Sequence, residues 1–144
     1  MRGLHPAAAG AVAATVWGLL EPIDRRLVGC DYSDIAFLGK GVTRGGSWRA
    51  AGFALHAVNG AVFGLVYDAV RRRVEVDDRR LAVGMALIEH VTLYPALGYV
   101  SDRYHPARGE EGVPPLFRNG RAFAQATMRH ALFGVLLGCL SRPS

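Results

Sequence analysis

The chain has 144 residues, one packed unit's worth, with 17 basic and 12 acidic side chains, a net charge of +5 and 51% hydrophobic residues. The charges are crowded into a few stretches, which sorts the sequence into apolar spans and charged connections. Two cysteines without CxxC spacing, Cys30 and Cys139, argue against a disulfide framework or a zinc knot, and no zinc-knuckle, RNP-like strand or basic recognition helix points to nucleic acid.

Four stretches approach the roughly 20 residues that a helix needs to cross ~30 Å of hydrocarbon: 6–20, 50–70, 81–100 and 122–140. The first, preceded by Arg2, resembles a leader in outline. Glu21, Pro22 and Asp24 follow it without a small-x-small cleavage site, so it reads as a first span. The connection after it contains "DYSD" at 31–34, whose acidic and hydroxyl residues suit a turn or helix cap. Its half-apolar portion, Ile35 to Leu38, suggests a segment lying along a bilayer surface, as does "GVPPLF" in the later long loop. Trp48, Tyr32, Tyr99 and Tyr104 fall near span ends, where an aromatic belt belongs.

The second span contains "HAVNGAVFG" from position 56 and the fourth "HALFGVLLG" from position 130, 74 positions later. A histidine is followed in both by glycines four and eight residues on. The first and third spans agree more weakly, in a leading glycine and a Leu-x-Pro ending. This pattern predicts an all-α, four-helix transmembrane bundle over 1–144 as a single membrane domain, built from two similar hairpins, about 6–70 and 81–140. Hairpins repeated in this way are related by a pseudo-twofold axis along the membrane normal.

The middle connection "RRRVEVDDRR" is short and carries five arginines, which favours a cytoplasmic middle loop and cytoplasmic termini in the cell (inner) membrane. The long loops hold nine Lys or Arg against seven on that side, so the bias rests on loop length. The spans are apolar nearly all round and rich in small residues, which suits lipid better than water. A soluble helical bundle is the alternative, because the first span is short and the other three carry polar groups.

Those polar groups are the candidate site. Gly52, His56, Asn59, Gly60, Phe63, Gly64 and Tyr67 share one helical face, and Ala126, His130, Phe133, Gly134, Leu137 and Gly138 the corresponding one. Gly60, Gly64, Gly134 and Gly138 are helix-packing candidates, and both imidazoles should point into the bundle. Glu89 and His90 on the third span, with Asn59, complete an intramembrane polar cluster, and Arg129 is expected to pair with Glu89.

Four uses compete. The histidines can simply bond across helix contacts. His56 and His130 can be axial ligands of a haem, with Arg129 near a propionate. Glu89, His56, His90 and His130 can hold a divalent metal, although adjacent residues on a helix point about 100° apart. The same groups can line a proton or substrate path. Nucleophilic catalysis has no support, since the serines lie in loops or tails; "YHPARGEEG" at 104–112 reads as a solvated loop.

The phrases "HAVNGAVFGLVYDA" and "NGRAFAQATMRHALFGVLLG" resemble uncharacterised small four-span integral membrane proteins of high-GC, actinobacterial-type bacteria. That resemblance implies a membrane protein and supplies no catalytic residue. The arginine-rich composition, with Lys40 the single lysine, agrees. The leading expectation is a structural or interaction subunit of the bilayer that forms a homo-oligomer or docks on a larger membrane complex. The rival is a cofactor- or ligand-binding protein using His56, Glu89, His90, Arg129 and His130.

Overall fold

The computed structural model describes residues 3–141 and is all-helical, with no strand among them. Five helices follow in order: α1 (Pro6–Val28), α2 (Asp34–Val42), α3 (Trp48–Arg71), α4 (Asp78–Tyr104) and α5 (Gly120–Leu140). Four of them, α1, α3, α4 and α5, are long and apolar enough to cross a membrane. Residues 1–2 and 142–144, which entered the charge argument, lie outside the described residues.

Pro6 opens α1 at the position where a missing N–H costs nothing, and Gly29 closes it in the left-handed conformation that glycine adopts without strain. The helix runs eight residues beyond the expected end at Leu20, straight through Glu21, Pro22 and Asp24. Glu21 and Asp24 are both buried, so the break that their charges suggested is absent; their partners are described below.

α1 packs along α3, α4 along α5, and α1 against α5, whereas α3 and α4 touch little. Glycines set the close approaches. A Cβ on Gly60 would stand 2.3 Å from the Gly10 carbonyl oxygen, and one on Gly64 2.1 Å from that of Pro6. On the other side, a Cβ on Gly134 would meet the Val83 Cα at 2.5 Å and one on Gly138 the Arg79 Cα at 2.6 Å. The four glycines therefore lie against helices of the same chain.

These contacts bring the start of α1 and the end of α5 to one end of the molecule, beside the 71–78 connection. Leu4 donates its N–H to the Leu140 carbonyl at 2.8 Å, and the Tyr67 hydroxyl reaches the Asp78 carbonyl at 3.3 Å. Both long loops are at the opposite end, tied together by ion pairs of Arg25 with Glu111 and of Lys40 and Arg44 with Glu110.

Two loop expectations need correcting. The 35–38 segment belongs to α2, whose Ile35, Ala36 and Gly39 are buried; a Cβ on Gly39 would stand 1.9 Å from the Trp48 carbonyl oxygen of α3. The 104–112 stretch is partly packed, because His105 is buried, stacks on Phe37 and bonds its carbonyl at 2.9 Å, and Ala107 is fully covered. Tyr99 and Tyr104 are exposed near the end of α4, but Tyr32 is buried and takes no part in a belt.

Candidate functional site

The most buried charged side chain among the described residues is Arg129, in the middle of α5 and 2% exposed. Its Nε lies 2.5 Å from Asp24 Oδ2 and its Nη2 2.6 Å from Asp24 Oδ1, a two-pronged pair. Nη1 donates to Asp34 Oδ2 at 2.7 Å and, at 3.4 Å, to Glu21 Oε1; Nη2 also donates to the Tyr32 carbonyl at 3.0 Å. All five guanidinium N–H groups thus have acceptors. The expected pair with Glu89 is not formed: Glu89 is exposed on α4.

The carboxylates are positioned by more than the arginine. Gln125, fully buried, donates from Nε2 to Asp24 Oδ1 at 2.7 Å and to the Cys30 carbonyl at 3.3 Å. Glu21 accepts from Ser33 Oγ at 2.5 Å and from the N–H groups of Asp34 and Ile35 at 2.7 and 3.2 Å. Those two donors are unpaired ends of α2, and Ser33 Oγ accepts a third from Ala36 at 3.0 Å. So "DYSD" is a helix cap, and it is also where α1, α2 and α5 meet. An N-terminus buried at this depth is tolerable only because protein groups satisfy it.

Tyr32 donates its hydroxyl to Asp34 Oδ1 at 2.8 Å. Burial, then the neighbouring Asp34, pushes that hydroxyl well above its ordinary range, so it stays protonated and remains a donor. At Asp34 burial opposes the charge, but Arg129, followed by His56, Tyr32 and His130, outweighs it and holds the carboxyl below the usual range.

Next to this centre is a cavity of about 290 Å³ to which all five helices contribute. Trp17 of α1 and Phe133 of α5 line its depth, Asp34 and Phe37 of α2 one end, His56 and Asn59 of α3 one flank, and Glu89, His90 and Tyr94 of α4 the other. Its exposed lining residues, Asn59 on α3 and Glu89, Leu93 and Leu97 on α4, mark a mouth between two helices that touch little.

The three span histidines are brought together here. Trp17 stands edge-on to His56 and His130, with centroids 5.1 and 5.2 Å away, and His90 stacks on His130 at 4.6 Å. His130 Nδ1 lies 2.8 Å from the Ala126 carbonyl, which only accepts, so Nδ1 carries a proton and, in the neutral ring, Nε2 is the acceptor. Thr127 gives its proton to the Phe123 carbonyl, so its oxygen accepts from His90 Nε2 at 2.9 Å. His56 Nε2 is buried and has no partner.

This arrangement bears on the cofactor readings. Among the described residues no three His, Cys, Asp or Glu side chains converge so as to hold a metal ion. For a haem, a macrocycle between His56 and His130 would have to displace Trp17, which contacts both rings, and His90, which covers His130. Cys30 and Cys139 are free, the first buried and the second exposed.

Sequence reading placed His56, Asn59, Glu89, His90 and His130 around one space, but it did not find Asp24, Asp34, Glu21, Gln125 or Tyr32. The available signal was an Arg and a Gln in the fourth span, which demanded buried partners from elsewhere. The chain matches no protein-family model, no curated protein and no solved structure.

Proposed function

We propose that the chain is a multi-pass protein of the cell membrane that binds a small amphipathic molecule in the cleft between its two helical hairpins. The observation that carries this reading is the cavity: it is lined by ionisable groups partway along the spans and has its exposed residues on α3 and α4, which touch little. A convergent set of polar groups on an otherwise apolar pocket is what a ligand site requires. The structural-subunit reading loses one of its supports, since Gly60, Gly64, Gly134 and Gly138 lie against α1 and α4 of the same chain.

We read the hairpins as two related copies, in which paired glycines of the second helix press on the first. α2 has no helical counterpart in the later loop, and Gly84, matched in sequence to Gly10, faces open space, so the copies have diverged. The arginine-rich short loop supports a cytoplasmic position for that loop and the termini.

The test is native mass spectrometry of the chain taken from its own membrane in mild detergent. The wild type should carry a small molecule that Asn59→Trp, which fills the mouth, does not, with both proteins equally helical. A haem or metal mass would restore the ligation reading of His56 and His130. Identical, ligand-free spectra for both proteins would count against a binding cleft.

A further inference from the structure

The cavity offers acceptors and no cation. Asp34 and Glu89 line it, and among the described residues no Lys or Arg does. Arg129 contacts Asp34, but its five N–H groups already point at Asp24, Asp34, Glu21 and the Tyr32 carbonyl. Three carboxylates around one guanidinium leave an excess of negative charge, and they still do if one of them holds a proton.

His130 extends the same bias. The proton of neutral His130 is on Nδ1, bonded to Ala126, so Nε2 is an acceptor on a ring that lines the cavity. His56 also lines the cavity, but its unpartnered Nε2 is covered by protein atoms and does not open into it. Trp17 Nε1 is also unbonded, but one neutral N–H does not recruit an anion against two carboxylates.

Resting on the ligand-binding reading, we infer that the occupant is a protonated amine on a small apolar body. Its ammonium N–H groups are met by Asp34 and by His130 Nε2, with Glu89 at the mouth. Its hydrocarbon lies against Trp17, Tyr94 and Phe133, whose ring faces also attract a cation. A volume of about 290 Å³ is at the small end for ligand pockets, which suits a one-ring amine better than a lipid.

The test is calorimetric titration of the full chain in nanodiscs of zwitterionic lipid, with empty discs as the blank. Three probes of similar shape are compared: phenethylammonium, phenethyl alcohol and hydrocinnamate. The ammonium should bind at least about tenfold tighter than the alcohol, as a charge-assisted hydrogen bond implies, and the carboxylate should not bind. Glu89→Gln, on an exposed position that does not threaten the fold, should weaken the ammonium roughly threefold or more without affecting the alcohol. Asp34→Asn should abolish the preference where its helicity and elution match the wild type.

Alcohol or carboxylate binding as tight as the ammonium overturns the charge assignment and leaves the cleft reading standing. Ammonium binding unchanged in both variants overturns the site. No binding of any probe overturns both readings.

Discussion

At Arg129 a single side chain holds three segments together, because its fork meets Asp24 of α1 with two bonds while Nη1 reaches Asp34 of α2. Arg129→Met leaves the buried Glu21 and Asp24 and the largely covered Asp34 without a countercharge, and the expected loss is about 3–5 kcal/mol in reversible unfolding in detergent. Arg129→Lys keeps the charge and loses the two-pronged geometry, so it should fall between the two. A lysine variant as stable as wild type would show that charge alone suffices. Asp31, half exposed in the long-loop layer, gives a pH signature. Partial burial raises its affinity for a proton, but the Gly112 N–H at 2.8 Å, then Arg25, hold the carboxyl below the usual range. A depressed folded-state pKa contributes stability above the unfolded value and loses it as pH falls through the folded one. The melting temperature should therefore drop on acidification below the ordinary carboxylate range. Asp31→Asn should flatten that part of the curve, its melting temperature meeting that of the wild type at low pH.

Among the elements, the decisive distinction is between glycines that admit a neighbouring helix and glycines that do not. A Cβ on Gly60 would meet the Gly10 carbonyl oxygen at 2.3 Å and Ala14 Cβ at 2.6 Å, so Gly60→Ala must push α1 and α3 apart. The cost is of order 1–3 kcal/mol, the usual range for overpacking. Gly84 has nothing within 4 Å, and Gly84→Ala should be neutral or stabilise by up to about 1 kcal/mol through helix propensity. Equal effects of the two substitutions on unfolding would mean that close helix contact is not what Gly60 provides. The Gly60–Gly64 spacing was legible in the sequence, but not which helix each glycine meets. α2 was legible only as a half-apolar stretch. Its N-terminus is inside the protein because Glu21 and Ser33 satisfy its free N–H groups, and Glu21 is more than a dozen residues away in another helix.

For the molecule as a whole, the four long helices put the 71–78 connection beside the chain ends and the two long loops at the far end. In a Cys139→Ser background, where the remaining Cys30 is buried, Glu75→Cys should react with an impermeant maleimide from the cytoplasmic face and Glu111→Cys from the opposite one. Labelling of both from one face would defeat the four-span reading; a swap of faces would reverse only the orientation.

The number of long apolar helices and the approximate extent of three of the four were readable from composition, because an apolar run of about 20 residues has few folded outcomes in which its backbone is satisfied. The face carrying His56, Gly60 and Gly64 followed from the 3.6-residue period alone. The end of α1, the depth of α2 and the partners of Arg129 did not. Each depends on a pairing such as Arg129 with Asp24, 105 positions apart, in which a charge that looks like a helix terminator locally becomes an interior group once its counterion arrives. Local pattern reports what a residue costs to bury, and only the packed chain supplies what offsets that cost.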